Sequence, residues 1–433
     1  MHGQVKGTNT IFFIPKNDVP LDRWQDVTYS RVVVNYRPDK DDPYQTRLTV
    51  GGNRLHYHGY CGTPTVDLLT VKLLLNRFIS ALGVWFMTID IKDFYLNTPM
   101  SRNKYMRLKL SDLHENFFKE YNLSSKVTTD GYVYVDIRRK MYGLPHTGLI
   151  SQQLLEKRLN KEGYHQSELT LGLWTHTWRP ISFALCVNDF SVKYVGKQNV
   201  EHLLSVLKTD YKISTEWSSK RYIGIDLDWD YAHKKVYLSM LQYVTDALKR
   251  FNHKHPHKPQ DQPYMNAKPN YGAKAQYAKN DNSSPPLSPE DKKFVQEVVG
   301  TFLYYACALN VTMLPALGSL ATQQASTTEN TMKKVKQFLD YAATHPAAII
   351  TYHVSDMVLA GHSDASYLSR TKARSRAGGQ FFMSSDTANP PNNGSLLTTS
   401  QVIKTIMSSA AEAELGALFI NCREAVPARH TLK

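Results

Sequence analysis

The sequence of 433 residues is 42% hydrophobic and 21% charged, the make-up of a folded chain rather than a disordered one, and its length exceeds what one hydrophobic core usually serves. A formal net charge of +14 favours a polyanionic partner, because neutralising phosphates releases condensed counterions; a basic surface kept for solubility is the alternative. Cys61, Cys186, Cys307 and Cys422 form no C-x-x-C pair and read as free thiols in apolar surroundings, the usual state in a reducing, intracellular compartment. Met1 to Asn9 has no hydrophobic signal core, and the most apolar stretch, 66–91, is broken by Lys72 and Arg77, so no membrane segment is expected.

Residues 11–50 read as short strands, with β-branched Ser30–Tyr36 and Thr46–Val50 on either side of a charged turn at Pro38–Pro43. Thr63 as N-cap and Pro64 at the first helical position predict a helix, since Leu68, Val71, Leu75 and Phe78 follow at steps of three and four. Gly83 ends it. Val84–Ile89 is then a short apolar run that predicts a buried strand presenting Asp90 at its end. Ile181–Val187 and Phe190–Tyr194 predict a tight hairpin turning on Asn188-Asp189. Apolar periodicity vanishes over 252–289, which predicts an exposed linker in which His253, His255 and His257 are solvated and bind no metal. Ser288, Pro289 and Asp291 start a further helix with Phe294, Val298 and Phe302 on one face. From Val358 a new pattern begins: a strand to Asp364, a second through Gly379 to Met383, a third from Leu396 to Met407, and then a helix.

Nucleotidyl transfer needs divalent ions held by acidic side chains from separate strands. The candidates are Asp90 and Asp93 in TIDIKDFYL and Asp189 in CVNDFSV, although each alone reads equally as a turn residue. Their order is more specific. A strand ending in Asp90, an aromatic Tyr95, the stretch MYGLPHTGL and a hairpin with an acid at its tip resemble the palm of reverse transcriptases. NYRPDKDDPYQTRLTVGG, DIKDFYLNTPM, KMYGLPHTGLISQQLL and GIDLDWDY resemble copia-type retrotransposons in particular.

The resemblance implies an α+β right-hand polymerase fold, with fingers at 1–60, palm at 61–230, thumb and connection at 231–345, and a partial RNase H-like domain at 346–433. It implies Asp90 and Asp189 as ligands of Mg²⁺ (or Mn²⁺), Ile91 as a backbone contact, and Asp93 beside the incoming deoxynucleoside triphosphate. Tyr95 would be the aromatic gate against a ribose 2′-hydroxyl, or else a packed core residue. Leu144, Pro145 and Gly148 would support nucleotide and template base, with His146 where many relatives carry Gln. Arg47 would clamp the triphosphate, or else be a solvated surface arginine. The implied partners are an RNA template and a DNA primer.

One departure matters. The family's hairpin tip carries two adjacent aspartates, and here Asn188 precedes Asp189, so a neutral amide stands where a charged metal ligand is expected. The expected enzyme is impaired. In the C-terminal region Asp364 in GHSDASY and Glu414 in SSAAEAELGAL resemble the strand aspartate and helix glutamate of RNase H folds, while Ser409 and Glu412 fit a capping box, leaving Glu414 without a structural task. The sequence ends at Lys433, before the later acidic ligands of such a site, so hydrolysis of RNA–DNA hybrids is not expected. Two competing readings are an inert nucleic-acid-binding relic, which Asn188 favours, and an RNA-dependent RNA polymerase, which Tyr95 and the RNase H-like tail oppose.

Overall fold

The computed structural model describes residues 7–36, 44–55, 59–264 and 284–432. In chain order, strands β1 (Ile11–Ile14), β2 (Val27–Tyr36) and β3 (Tyr44–Val50) precede helix α1 (Leu68–Ser80) and strand β4 (Val84–Ile91). Strand β5 (Pro99–Lys109), helix α2 (Glu115–Glu120), strand β6 (Tyr132–Arg139) and helix α3 (Thr147–Lys161) follow. Next come β7 (Tyr164–Gln166), β8 (Leu173–His176), β9 (Ile181–Cys186), β10 (Asp189–Val195) and α4 (Lys197–Asp210). Strands β11 (Ile213–Glu216), β12 (Arg221–Tyr222), β13 (Ile225–Asp230) and β14 (Lys235–Ser239) lead to α5 (Leu241–Arg250), α6 (Pro289–Ala308), α7 (Leu314–Ala321) and α8 (Glu329–Thr344). The chain then runs through β15 (Ile349–His353), β16 (Val358–Arg370), β17 (Arg374–Ser384), β18 (Leu397–Val402) and α9 (Ala410–Leu432). The class is α+β.

These strands form four sheets, in the orders β1-β6-β5-β2-β3, β11-β4-β10-β9-β8-β7, β12-β13-β14-β15 and β16-β17-β18. The first therefore joins residues 11–50 with 99–139. The second carries α3 and α4 over a core of Met87, Ile89, Leu155, Phe183, Phe190 and Leu203. The largest core is shared: α1, β13, β14, α6, α7 and α8 all feed it, through residues such as Leu75, Leu227, Leu238, Phe302, Leu317 and Phe338. Strand β6 of the first sheet is buried on both faces, Val133, Val135 and Ile137 entering one core and Tyr134 another.

Several expectations are corrected. Helix α1 starts at Leu68, not Pro64, because Asp67 caps it by accepting the Thr70 amide at 2.7 Å. The hairpin turns on Val187-Asn188 rather than Asn188-Asp189. Asp189 pairs with Cys186 and is already strand, while β-branched Val187 takes φ +60°, a strained conformation that the register forces. The third C-terminal strand stops at Val402, and α9 follows from Ala410.

Residues 253–264 lie along α8 instead of hanging free. His253 Nε2 is 2.8 Å from Asp340 Oδ1, the Gln260 amide donates to Thr344 Oγ1 at 3.0 Å, and His345 Nε2 is 3.0 Å from Asp261 Oδ1. The middle of the expected linker, 265–283, lies outside the described residues, as does the whole of the expected 38–43 turn. The cysteines are less apolar in setting than expected, since Cys61, Cys307 and Cys422 are exposed and Cys186 is half-buried. Among the described residues no helix is long and apolar enough to cross a membrane.

Candidate nucleotidyl-transfer site

Antiparallel pairing of β4 with β10 sets Asp90 directly opposite Asp189. The Ile91 amide donates to the Asn188 carbonyl at 3.1 Å, which makes Asp90 and Asp189 a non-hydrogen-bonded pair, the closer of the two kinds. Their side chains stand on the same face with Cβ atoms about 4.5–5.5 Å apart. Two carboxylates so placed repel each other unless a cation or donor lies between or beside them.

Here the donor is Asn188. Its Nδ2 donates to Asp90 Oδ1 at 2.6 Å and to the Ile91 carbonyl at 3.3 Å, and Ser214 Oγ, opposite Asp90 on β11, donates to Oδ2 at 3.5 Å. Facing a carboxylate, the amide can only present its nitrogen, so its oxygen points away from Asp90. Asp90 and Asp189 are the residues that would hold a divalent cation here, and the amide beside them would add no charge. Among the described residues no group of three His, Cys, Asp or Glu side chains is placed to hold a metal. Tyr222, which the sequence did not mark, braces the hairpin tip by donating to the Ala184 and Asp189 carbonyls at 3.2 and 3.3 Å. Burial raises its pKa, so it stays a donor.

Arg47 and Tyr95 come together on Tyr142, another residue not singled out in the sequence, and Gly148 lies near Tyr95. The Arg47 guanidinium stacks on the Tyr142 ring at 4.9 Å, and Tyr95 meets that ring edge-on at 5.0 Å. Burial first, then Tyr142 and Cys186, push the Tyr95 hydroxyl pKa up and keep it neutral. A Cβ on Gly148 would lie 2.5 Å from Thr63 Oγ1 and 3.9 Å from the Tyr95 hydroxyl, so α3 begins in close contact with this cluster.

The loop carrying Tyr142 is held to β3 by backbone approach. The Val50 amide donates to the Tyr142 carbonyl at 2.8 Å, Gly143 has φ +97°, and a Cβ there would meet the Val50 carbonyl at 2.0 Å. A Cβ on Gly52 would meet the Gly143 carbonyl at 1.9 Å and Pro145 Cδ at 3.3 Å. Leu144 is buried beneath, and burial, with Lys140 and Lys104 nearby, lowers the pKa of His146 at the start of α3. Asp93 is exposed with φ +52°, on a turn whose carbonyl accepts from Asn97.

In the C-terminal sheet Asp364 lies exposed on β16 opposite Gly378, and Glu414 Oε1 accepts the amide of the adjoining Ala365 at 3.2 Å. Glu414 therefore has a structural contact after all. The cap is also modified: Ser409 Oγ accepts the Glu412 amide, but Glu412 Oε2 takes the amide and hydroxyl of Ser408, each at 2.6 Å. Buried Asn421 ties α9 to the sheet, donating to Ser363 Oγ at 2.8 Å and the Gly378 carbonyl at 2.7 Å while accepting from Thr399 Oγ1 at 2.6 Å.

No protein-family model matches the chain. It is 20% identical over 426 residues, 95% of its length, to the retrovirus-related Pol polyprotein from transposon TNT 1-94 of Nicotiana tabacum, and it spans 29% of that relative. Among solved structures it is similar to a foamy viral protease-reverse transcriptase in complex with double-stranded DNA (TM-score 0.47, 11% identity, 92% of this chain and 56% of that one). The same kind of protein in complex with an RNA/DNA hybrid gives TM-score 0.45 and 10% identity, covering 92% of this chain and 43% of the other. Along nearly its whole length, then, the chain is similar to a retrovirus-related Pol polyprotein of a transposon.

Proposed function

We propose that the chain is an RNA-directed DNA polymerase core impaired at Asn188, using an RNA template, a DNA primer, deoxynucleoside triphosphates and Mg²⁺ (or Mn²⁺). The observation that carries this is the facing pair of Asp90 and Asp189 with the Asn188 amide beside it. In this reading Asp90 and Asp189 would hold the ion, whose contribution would be Lewis-acid stabilisation of the negative charge in the reaction. Arg47 orients the triphosphate, with Asp93, Pro145 and Gly148 around it, and Tyr95 excludes the 2′-hydroxyl. Residues 1–60 and 61–230 act as fingers and palm, and 231–345 as thumb and connection. Asp364 and Glu414 are a remnant RNase H-like site in 346–433.

The test is primer extension on an RNA template with Mg²⁺ or Mn²⁺, run beside Asn188→Asp and Asp90→Asn. Metal-dependent extension that Asn188→Asp raises and Asp90→Asn abolishes supports the assignment. A second reading, an inert nucleic-acid-binding protein, is favoured by the Asn188–Asp90 hydrogen bond, which satisfies the site without metal. That reading stands if Asn188→Asp binds primer–template and still does not extend it.

A further inference from the structure

Helix α9 has two unlike faces. Ala413, Ala417 and Asn421 meet the sheet, while Leu415, Leu418, Phe419, Cys422 and Val426 recur at steps of three and four on the outer side and stay exposed. Leu415 and Phe419 keep 67% and 69% of their surface in water. No charged residue interrupts this stripe, which runs about 16 Å along the helix. A contiguous apolar patch of this kind marks a surface that something covers.

Beside the stripe lies an open strand edge. Among the described residues β16 pairs only with β17, which leaves its other side as a free edge. Glu414 takes the Ala365 amide, so that amide points away from β17, and by alternation those of Leu359, Gly361 and Ser363 point the same way. Stripe and edge are continuous. Leu359 lines one groove with Cys422, Ala425 and Val426, and Phe381 and Leu418 extend it along the strand.

We propose that this face receives a second copy of the chain, β16 pairing antiparallel with β16 and α9 lying against α9. One two-fold axis, normal to the sheet at Gly361, satisfies both features. It pairs Leu359 of one copy with Ser363 of the other and joins the two three-stranded sheets edge to edge. Because α9 packs over β16 and β17 alike, it lies about one strand spacing from that axis, and the two helices end up about 10 Å apart, the distance at which helices pack. The helix runs opposite to β16, with Glu414 at Ala365 and Cys422 beside Leu359, so Cys422 comes close to the axis. Charge favours this occupant. Glu412 and Glu414 begin the helix, Arg423 and Glu424 pair with each other at 3.4 Å, and Arg429 and His430 end it. Antiparallel contact therefore sets the acidic end of each helix by the basic end of the other and opposes their dipoles. Covering the stripe and the strand edge buries on the order of 500 Å² per copy, which reaches the roughly 1,000 Å² in total that a specific interface needs.

The experiment is sedimentation equilibrium of the full chain from nanomolar to tens of micromolar concentration, with amide exchange over 358–364 followed at both ends of that range. A short bis-maleimide, applied to a Cys61→Ser/Cys307→Ser chain, reports on Cys422. The mass is expected to double in the micromolar range, exchange over 358–364 to slow as it does, and a cross-linked pair to form that Cys422→Ser removes. Leu418→Glu/Phe419→Glu, with an unchanged circular dichroism melt, should weaken association at least a hundredfold. Phe419→Glu alone, at a position largely in water, should weaken it at least tenfold even if the double variant fails to fold. A single-chain mass at every concentration, assemblies that grow beyond two copies, or a dimer indifferent to Phe419→Glu overturns the proposal. So does a dimer without the Cys422 link or without protection of the strand. Slow exchange over 358–364 in a monomer overturns it as well, since another segment of the same chain then covers the edge. None of these readouts uses primer extension, so they stand apart from the assay of Asn188.

Discussion

The Asn188 side chain does two opposed things. It withholds a charge from the proposed ion site, and it quiets the repulsion between Asp90 and Asp189 by donating to Asp90 at 2.6 Å. Asn188→Asp, nearly the same volume, is expected to raise metal-dependent extension roughly a hundredfold or more, corresponding to a few kcal/mol of barrier. The same variant should melt at lower temperature in chelator and recover when Mg²⁺ or Mn²⁺ is added, since the ion binds only the folded arrangement. A variant indifferent to metal in both assays would remove position 188 from the argument. Tyr95 permits a separate check, because its ring already leans edge-on against Tyr142 at 5.0 Å and half-buried. In the Asn188→Asp background, Tyr95→Val should increase ribonucleotide incorporation relative to deoxyribonucleotide. Unchanged selectivity would leave Tyr95 a packing residue of the Tyr142 cluster. Asp90, Asp189 and Asn188 were legible because strand patterning and motif order both pointed at them. Tyr142 and Tyr222 were not, because a tyrosine's role as a platform or brace depends on which distant element it touches.

At the scale of elements, the sequence read strands and helices better than their ends. The α1 start was missed because Thr63-Pro64 satisfies the local rules for a helix start, yet Asp67 wins by capping Thr70 in place. The hairpin slipped by one residue because Asn-Asp is the better turn dipeptide in isolation, while pairing of β10 with both β4 and β9 fixes Asp189 as strand. Helix α9 illustrates long-range control of another kind. Its inner face offers mostly small residues, Ala413, Ala417 and Ala428, and its specificity comes from Asn421 reaching Ser363, Gly378 and Thr399. Asn421→Ala strands those buried partners and is expected to cost roughly 2–3 kcal/mol in urea unfolding followed by circular dichroism. A loss below a few tenths of that would mean water replaces the amide and the helix is held by packing alone.

Across the whole molecule one buried cation joins three segments. Lys72 of α1 is fully buried, and its Nζ donates to the Cys307 carbonyl at the end of α6 at 3.0 Å and to the Ser395 carbonyl before β18 at 3.5 Å. Burial lowers its pKa to about 8, partly countered by Cys307. The folded state therefore releases this proton near pH 8, and the unfolded chain only near its ordinary value of 10.5. Between those limits the unfolded state holds more protons, so this group adds stability as pH rises from 8 and contributes nothing further above 10.5. Lys72→Met should lack that increment. The difference in unfolding free energy between parent and variant should shift in the parent's favour from pH 8 to 10, and a pH-independent difference would mean Lys72 is not shielded as its burial implies.

The crossing of Gly52 and Gly143 has a consequence for reading other sequences. A side chain at either position collides with backbone, the Gly143 carbonyl at 1.9 Å or the Val50 carbonyl at 2.0 Å, so no compensating exchange of neighbours can make room. Any chain that brings this loop against this strand is confined to one letter at both places, whether or not it polymerises anything. The glycine pair is thus a register mark for aligning distant sequences and is silent on activity. Position 188 is the reverse: its letter sets the charge and the hydrogen bond beside Asp90.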